Sequence, residues 1–423
     1  MRVLLINQVY YPDVAATAQH ADDLARHLVR AGHEVHVIAS RSIYGSKGAT
    51  LSKFEDVEGV QVHRVGRSIF GKAGIAARAA DFAVFYVLAM FKALTLKRFD
   101  VAVCFTTPPF ISLVGWVLRT LRGTKFVYWV MDMYPDVPVV CGVMKEGALS
   151  TRFFEAVDRF CLRRADRVVV LGRCMRERVL AKGADPEKIE HIGVWSDQSE
   201  VKPIGREHNE YTERWGLDGK FVVMYSGNFG LAHDVRTMLE AAERLESDDR
   251  FRFLFVGGGK KKAEVEAFVQ DRGLTNAVVD GYQPRERLDH SLSCPDVHLA
   301  TMIPGAEGLI VPCKLFGIMA AGRPTVFIGS PKSELALVLR ENGCGEVVEP
   351  GEVETLVEVL RALADDPGRV RSMGERARAA LSDAYGRETA CEAWRRMLEG
   401  VAGETPIAGE AEPEGVRARG ESA

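Results

Sequence analysis

The strongest constraint on the fold of this chain is an alternation of short apolar runs with amphipathic helical segments, which occurs twice along its length. The apolar runs are rich in β-branched residues and nearly lack polar positions, as in RVLLIN at 2–7 and RVVVLG at 167–172. Strands with this pattern are buried on both faces, and they are typical of parallel sheets covered by helices. The sequence therefore predicts an α/β fold with doubly wound sheets.

The alternation stops once, between about 193 and 219, where the chain is polar, aperiodic and rich in turn-forming residues. It starts again with KFVVMYSG at 220–227, and 423 residues are enough for two domains with separate cores. Ligands of such domains bind beyond the carboxyl ends of the strands, so two domains predict a cleft between them. The predicted boundaries are an N-terminal Rossmann-like domain at 1–195, a linker at 196–218, a C-terminal Rossmann-like domain at 219–384, a C-terminal helix at 385–400 and a disordered tail at 401–423.

Composition argues against several classes of protein. The net charge is −3, so the chain as a whole does not attract nucleic acid, and we expect no nucleic-acid partner. The eight cysteines are scattered without a CxxC pair, which predicts free thiols in a reducing, cytoplasmic compartment rather than a disulfide framework or a metal site. The first residues predict a strand rather than a signal peptide, and no apolar stretch of about 20 residues predicts a membrane span.

One region of the first domain has a marked charge bias. Residues 60–130 contain ten Lys or Arg residues and two acidic residues. The same region includes the apolar run FAVFYVLAMFKALTL at 82–96, followed by Lys97 and Arg98. Two interpretations stay open for the predicted helix at 73–97. It is either a buried helix of the domain, or an amphipathic contact with the anionic inner face of a membrane.

Three loops that follow predicted strands of the second domain have residues suited to a phosphate or a flat ring. YSGNFGLAHD at 225–234 has glycines that free the backbone ahead of a helix, which predicts an anion site. FVGGGKKKAE at 255–264 could hold a phosphate, although we interpret its lysines as a solvated first helical turn. It does not match the G-x-G-x-x-G fingerprint, which argues against a dehydrogenase. VDGYQPRERL at 279–288 is either a stacking site for a base or a plain turn.

A fourth loop precedes a helix that begins with an unfavourably placed charge. In GAEGLIVPCKLFGIMAAGRPTVFIG at 305–329, Lys314 lies in the first turn of the predicted helix. A cation at this end of a helix opposes the helix dipole. The position predicts an anion beside Lys314, and the alternative is a solvated lysine.

Loops of the first domain carry small, hydroxyl and carboxyl side chains at predicted strand ends. In YWVMDMYPDVP at 128–138, we expect Asp132 to bind sugar hydroxyls or to transfer a proton, and Asp136 to cap a turn. The other candidates are the small residues of QVYYPDVAATAQHADD (8–23) and the hydroxyls of CFTTPPF (104–110), namely Ala15, Ala16, Thr17, Thr106 and Thr107.

These motifs together resemble one family over about residues 1–400. They are YYPD (10–13), LARHLVRAGHEVHVIAS (24–40), MDMYPD (131–136), YSGNFG (225–230), FLFVGGG (253–259) and PCKLFGIMAAGRPTVFIG (312–329). The chain resembles the retaining glycosyltransferases of the GT-B fold, family 4. Within that family it is similar to the transferases of capsule, exopolysaccharide or O-antigen assembly, including the colanic-acid type.

The resemblance implies that a hexosyl or N-acetylhexosaminyl group passes from a UDP- or GDP-linked donor in the second domain to an acceptor in the first. That acceptor would be a glycan or a polyprenyl-diphosphate-linked lipid, and no cofactor or metal is implied. Asp132, Glu307 and Lys314 would be catalytic, with Asp132 on the acceptor side together with Ala15, Ala16, Thr17, Thr106 and Thr107. The donor would contact Gly227 and Asn228 at the diphosphate, Tyr282 and Gln283 at the base, Gly308 and Leu309 at the sugar, and Leu315 near the ribose.

The chain departs from the family pattern at several positions. Most members have two glutamates separated by seven residues, and Leu309 and Gly317 occupy those positions here, with Glu307 nearby. Asn228 and His233 occupy the positions of the usual Arg/Lys pair in the first donor loop. Two other functions therefore stay open: a sugar-nucleotide epimerase of the same architecture, and a non-catalytic subunit of a membrane glycosylation complex.

Overall fold

A computed structural model describes residues 1–13, 15–43, 50–67, 75–196 and 201–403 of the chain. They form two α/β domains, each built on one sheet. The strands of the first domain are β1 (Arg2–Ile6), β2 (Glu34–Ser40), β3 (Phe54–Val57), β4 (Val60–Val65), β5 (Val101–Cys104), β6 (Lys125–Trp129), β7 (Arg167–Val170) and β8 (Ile189–His191). Its helices are α1 (Ala16–Arg30), α2 (Ile75–Thr95), α3 (Ser112–Arg122), α4 (Asp136–Val140), α5 (Leu149–Arg164) and α6 (Arg173–Ala181).

The second domain repeats the alternation. Its strands are β9 (Phe221–Asn228), β10 (Phe251–Gly258), β11 (Ala277–Asp280), β12 (Val297–Thr301), β13 (Thr325–Ile328) and β14 (Gly345–Val348). The helices that follow β8 are α7 (Tyr211–Trp215), α8 (Arg236–Arg244), α9 (Lys262–Arg272), α10 (Leu288–Ser293), α11 (Lys314–Ala320), α12 (Glu334–Asn342), α13 (Val353–Asp365), α14 (Pro367–Ala384) and α15 (Arg387–Gly403). Short 3-10 turns lie at Pro186–Lys188, Arg206–His208 and Arg285–Arg287.

Both sheets have the doubly wound order, which confirms the predicted fold class. The first is β3-β4-β2-β1-β5-β6-β7-β8 and the second is β11-β10-β9-β12-β13-β14. The direction of winding changes between β1 and β5, and again between β9 and β12. Loops on either side of such a change diverge, and this opens a crevice at the carboxyl ends of the strands. The two crevices form the two sides of the interdomain cleft.

The first sheet is parallel except at one edge. Strand β3 pairs antiparallel with β4, and Val57 lies opposite Val60. The two residues between them, Glu58 and Gly59, both have positive φ, as a tight hairpin turn requires. The short strand β3 leaves most of its residues exposed, so the sequence around it lacks the apolar run that identifies the buried strands.

The structure shows which domain two of the predicted segments pack against. Within the predicted linker 196–218, helix α7 buries Tyr211 and Trp215 against β9 of the second sheet. The C-terminal helix extends to Gly403 and lies against α1 of the first domain, where Trp394 is fully buried. The predicted tail is therefore helical up to 403, and residues 404–423 lie outside the described part of the chain.

Helix α2 occupies the position of the predicted helix at 73–97. It buries Phe85, Ala89 and Ala93 against the sheet and exposes Val87 and Phe91 on its opposite side. In the described ranges, no helix is both long and apolar enough to cross a bilayer. All eight cysteines are free thiols, and no group of metal-ligating side chains occurs among the described residues.

Candidate functional site

The loops at the carboxyl ends of the two sheets meet across the cleft. The backbone N–H of Met133, which follows β6, donates to the carbonyl of Leu309 at 2.9 Å, and Asp132 forms a β-bridge with Ile310. Gly308 lies so close to α6 that a Cβ atom there would be 2.6 Å from the carbonyl oxygen of Cys174. The predicted acceptor-side and donor-side residues are thus in direct backbone contact.

Lys314 is the first residue of α11 and provides a buried cation on the second-domain side. Its Nζ atom is shielded from solvent and lacks a hydrogen-bond partner among the described residues. It lies 3.8 Å from the centre of the Tyr225 ring, and burial lowers the pKa of Lys314 to about 7. The alternative of a solvated lysine was therefore wrong. Helix α11 has only seven residues, so we attribute the capacity to bind an anion to the ammonium rather than to the helix dipole.

Glycine residues keep the backbone open beside this ammonium. Gly227 and Gly257 are register partners at the ends of β9 and β10, and a Cβ atom on Gly257 would overlap the carbonyl oxygen of Gly227. A Cβ atom on Gly227 would lie 3.6 Å from Nζ of Lys314. The Tyr225 hydroxyl donates to the carbonyl of Asn228 at 2.8 Å and holds the next residue of the loop. A diphosphate at the predicted position would therefore meet glycine backbone and a cation together.

His233 stands beside this charge as a neutral group. Its Nδ1 atom is 2.7 Å from the carbonyl of Thr301, so Nδ1 carries the proton. Burial and the charge of Lys314 lower the pKa of His233 to about 3. The backbone carbonyl of His233 accepts a hydrogen bond from Nζ of Lys261 at 2.6 Å. The interpretation of the lysines at 260–262 as solvated was thus wrong for Lys261, which joins the first and second glycine loops.

The predicted base-side residues lie at the rim of the second sheet. Tyr282 is 64% exposed, and its hydroxyl donates to the carbonyl of Gly258 at 3.3 Å. The side-chain oxygen of Gln283 accepts from Arg214 at 3.2 Å, and its nitrogen donates to the carbonyl of Gly281 at 2.9 Å. Tyr282 therefore presents an aromatic face next to the glycine loop, whereas the polar atoms of Gln283 are partly used within the protein.

Asp132 is the carboxyl group of the first-domain side. Burial raises the pKa of Asp132 to about 6. Its backbone N–H donates to the buried hydroxyl of Thr106 at 3.2 Å, and the carbonyl of Thr107 accepts from Gln8 at 2.8 Å. These bonds join the loops that follow β1, β5 and β6.

The small-residue loop begins helix α1. The backbone N–H of Ala15 donates to Asp13 at 3.0 Å, and the carbonyl of Thr17 accepts from Asn7 at 3.4 Å. Ala15, Ala16 and Thr17 are all partly exposed. Val14 lies outside the described residues.

Asp136 has a different role from the predicted turn cap. Its carboxylate forms an ion pair with Nζ of Lys182, which also contacts Asp158 at 2.7 Å. Asp158 is buried and is 3.4 Å from the Tyr128 hydroxyl, which donates to it. This network ties α4, α5 and the residue after α6 together next to the Asp132 loop. Sequence reasoning missed it because Asp136 and Lys182 are 46 residues apart.

The remaining predicted residues contribute in unequal ways. Glu307 is partly exposed, and its carbonyl accepts from Arg178 of the first domain at 3.1 Å. Leu309 and Leu315 are only 3% and 0% exposed, so their side chains belong to the core. Only backbone atoms of these two leucines could contact a ligand.

Comparisons with known proteins match each of the two domains to a family. Residues 16–195 match the family described as glycosyl transferase 4-like domain, and residues 208–380 match the glycosyl transferases group 1. WbjE of Pseudomonas aeruginosa, a glycosyltransferase by name, is 26% identical over 311 residues, which cover 74% of this chain and 77% of WbjE. WcaI of Escherichia coli strain K12, a glycosyl transferase assigned by name to colanic acid biosynthesis, is 26% identical over 373 residues, which cover 85% of this chain and 91% of WcaI.

Solved structures share the fold of this chain. The crystal structure of Anabaena HepE in complex with UDP-glucose superposes with a TM-score of 0.72 at 15% identity, covering 95% of this chain and 100% of HepE. The first domain thus belongs to the glycosyl transferase 4-like domains and the second to the glycosyl transferases group 1, and the chain is a GT-B glycosyltransferase.

Proposed function

We propose that the protein transfers a sugar from a nucleotide-diphosphate sugar to a glycan or lipid-linked acceptor, with retention of anomeric configuration, in the biosynthesis of a surface polysaccharide. The observation that carries this proposal is the unpartnered ammonium of Lys314 beside the glycine backbone at Gly227. A buried cation without a counterion destabilises the empty protein, and a diphosphate would supply the missing charge.

The leaving group is the part of the reaction that this site would stabilise. When the bond between the anomeric carbon and the diphosphate breaks, negative charge develops on the diphosphate. Lys314 would compensate this charge, and a preorganised donor of this kind lowers a barrier by about 2–4 kcal/mol. The acceptor oxygen forms its bond to the anomeric carbon on the face that the diphosphate leaves, and the acceptor proton passes to a departing phosphate oxygen.

Asp132 would act on the acceptor side of the same centre. It lies in the loop that contacts residues 309 and 310 across the cleft, next to the expected position of the donor sugar. With a pKa of about 6, its carboxyl group is mostly ionised at neutral pH and can accept hydrogen bonds from sugar hydroxyls. Glu307 is the other carboxylate on the adjoining loop, and its side chain would bind a donor hydroxyl.

The relatives favour a particular class of substrate. WcaI is named for colanic acid biosynthesis, and HepE has been crystallised with UDP-glucose. Tyr282 at the rim of the second sheet offers a stacking surface for a base such as uracil or guanine. We therefore expect a UDP- or GDP-linked hexose or N-acetylhexosamine as donor, with no metal requirement.

A membrane contact would bring the first domain to a lipid-linked acceptor. Helix α2 exposes Val87 and Phe91, 68% and 67% accessible, and it is followed by the exposed Lys97 and Arg98. Apolar residues that enter the interface and basic residues near anionic headgroups both favour peripheral binding. The protein would then act at the cytoplasmic leaflet.

The proposal is tested by turnover of nucleotide sugars with and without polyprenyl-diphosphate-linked acceptors. Release of nucleoside diphosphate should require both substrates, and NMR of the product should show the anomeric configuration of the donor. Lys314→Met should lose most of this turnover. Lys53→Met, which removes an exposed lysine of the first domain, is the matched control and should keep it.

The same assay separates the other two functions. Conversion of a donor to its epimer without acceptor would assign an epimerase. Absence of turnover with every donor and acceptor pair, in a protein that still binds nucleotides, would assign a non-catalytic subunit. Inversion of the anomeric centre would overturn the retaining mechanism alone.

A further inference from the structure

A second concave site lies at the opposite end of the second sheet from the cleft. It is a cavity of about 560 Å³ at the amino ends of β9, β12 and β13, where Phe221, Asp296 and Pro324 line it. Helix α14 forms another wall with residues including Val370. Strand β9 has eight residues and separates the two sites by roughly 25 Å at 3.3 Å per residue. The cavity is therefore distinct from the donor site.

Basic side chains dominate the charge of this cavity. Five basic residues line it, Lys220, Arg250, Arg323, Arg371 and Arg378, against the two carboxylates of Asp296 and Glu375. Two of these seven charges are neutralised by partners, because Asp296 pairs with Arg206 at 2.7 Å and Arg250 pairs with Asp248 at 2.8 Å.

The other basic residues form no direct ion pair in the described ranges, although the Asp296 carboxylate is close enough to Arg323 to attract it. Lys220 and Arg323 donate to the backbone carbonyls of Asp249 and Ser293, and Arg378 donates to that of Ala320. Arg371 is exposed and makes no hydrogen bond or ion pair with described residues. Carbonyl oxygens do not cancel a full positive charge, so four cations compete with one unpaired carboxylate.

One of these groups also has unmet hydrogen-bonding capacity. The Nε atom of Arg323 is buried and has no hydrogen-bond partner among the described residues. A buried donor without an acceptor costs free energy that an anion could recover. Arginine forks bind phosphate in bidentate fashion, and the cavity volume lies within the range of small-molecule sites.

We propose that this cavity binds a small organic phosphate, with the phosphate on the arginines and the organic body against Phe221 and Val370. The chemistry fits a sugar phosphate or a nucleoside phosphate.

The cavity has a physical connection to the donor site. Arg378 donates to the carbonyl of Ala320, the last residue of α11, and to that of Val201 in the linker at 3.5 Å. Gly322 and Pro203, which follow the same helix and the same linker residue, line the cavity. An anion that binds Arg378 would weaken its hydrogen bonds to the carbonyls of Ala320 and Val201. Because Ala320 ends the helix that begins at Lys314, the position of Lys314 would change with them. The bound phosphate would therefore act as an effector of donor binding.

The test is isothermal titration calorimetry with inorganic diphosphate, a hexose 6-phosphate and UDP as separate probes. Each probe is titrated into the wild type, Lys314→Met, Arg371→Ser and Arg361→Ser. Arg361 is an exposed arginine of α13 that does not line the cavity, so it is the matched control. Both arginines are exposed, and circular dichroism should show that the variants are folded.

We expect binding of at least one probe to survive in Lys314→Met, to weaken by about tenfold or more in Arg371→Ser and to remain unchanged in Arg361→Ser. The probe that binds tightest identifies the class of organic body. Binding at the donor cleft shows the opposite pattern, weakened by about tenfold in Lys314→Met and kept in Arg371→Ser, so failure of this site and failure of the proposed function are distinguishable. Equal effects of Arg371→Ser and Arg361→Ser, or no binding of any probe to Lys314→Met, would overturn the site.

The proposed effect of the cavity on donor binding is measured separately. A saturating concentration of the cavity probe should change the Kd of UDP at the cleft by about fivefold or more, and Arg371→Ser should abolish that change. An unchanged Kd in the wild type would overturn the effector role.

Discussion

The charge on Lys314 affects both the stability of the empty protein and its affinity for a diphosphate, and replacement by methionine separates these effects. Methionine keeps an unbranched, flexible side chain but removes the ammonium. Burial lowers the pKa of Lys314 from 10.5 to about 7, because the shielded Nζ atom has no hydrogen-bond partner in the described part of the chain. The charged form is therefore less stable in the folded protein than in the unfolded chain.

The difference in pKa sets the size of the stability effect. Below pH 7 the lysine is charged in both states, and a change from 10.5 to about 7 corresponds to about 5 kcal/mol of lost folding free energy. Between these pH values the unfolded chain binds more protons than the folded protein, so the loss becomes smaller as the pH rises. We expect Lys314→Met to increase the free energy of unfolding by up to about 5 kcal/mol at pH 6 and by progressively less towards pH 10.

A bound nucleoside diphosphate should have the opposite effect on this lysine, since a nearby anion raises its pKa. Binding then takes up a proton above pH 7, and the affinity of the wild type should fall by about tenfold between pH 7 and pH 9, where the lysine is neutral in the free protein. The affinity of Lys314→Met should be weaker by about tenfold at pH 7 and nearly constant over the same range.

Two measurements check this reasoning. Denaturant titrations at pH 6 and pH 9 give the free energies of unfolding, and calorimetric titration with UDP or GDP in buffers of different ionisation enthalpy gives the proton uptake. Lys53→Met is the control for loss of a lysine charge, and it should match the wild type in both. The reasoning is refuted if Lys314→Met is less stable than the wild type at pH 6, or if its nucleotide affinity follows the pH dependence of the wild type.

Further changes test other parts of the molecule. Asp132→Asn should impair glycosyl transfer while nucleotide affinity stays almost intact, and an equal loss of both would place Asp132 with the donor. In the wild type, kcat/KM should fall below about pH 6 as Asp132 is protonated; a profile that is the same in Asp132→Asn would contradict this assignment. Gly257→Ala should lower the free energy of unfolding by about 1–3 kcal/mol in a denaturant titration, because its methyl group would overlap the Gly227 carbonyl, and unchanged stability would show that β9 and β10 can separate freely. Sedimentation with anionic vesicles should weaken with salt and with charge reversal at Lys97 and Arg98; no binding at low salt would leave α2 as a helix of the core alone.

The fold could be predicted from the sequence where strands are buried on both faces. Strands such as β1 and β7 are four or five residues long, yet their unbroken apolar character distinguishes them from their surroundings. Short strands at or near the sheet edges were missed, namely β3, β8 and β14. An edge strand packs against one neighbour and keeps polar residues, so neither length nor pattern separates it from a loop.

The destination of α15 could not be predicted, although the helix itself was. Its apolar face indicates that it packs on something, but the pattern does not say on which domain. In the structure, Trp394 lies with its ring 4.3 Å from that of Trp129, and His33 is 3.0 Å from Glu399. These partners are more than 200 residues distant in sequence, so only the tertiary fold brings them together.

Within the site, Lys314 could be identified from the sequence because a positive charge in the first turn of a helix opposes the helix dipole. Lys182 could not be identified in this way, because a lysine near the carboxyl end of a helix interacts favourably with the helix dipole. Its ion pairs with Asp136 and Asp158 join residues from three separate elements, so they appear only in the structure. A charge at an unfavourable helix position can thus be recognised from the sequence, whereas a charge that is neutralised by distant partners can be recognised only in the structure.

Asp132 on the first-domain side and Lys314 on the second-domain side have pKa values displaced towards neutrality, about 6 for Asp132 and about 7 for Lys314. A direct ion pair would lower the first value and raise the second, whereas burial does the reverse to both. Burial therefore sets the direction of both shifts in the empty cleft, and Nζ of Lys314 has no hydrogen-bond partner among the described residues. In the proposed reaction, a nucleotide sugar brings its diphosphate to Lys314 and its hydroxyls to Asp132. The substrate would thus supply the partners that the protein lacks, and its binding free energy would offset the stability that the buried charges remove.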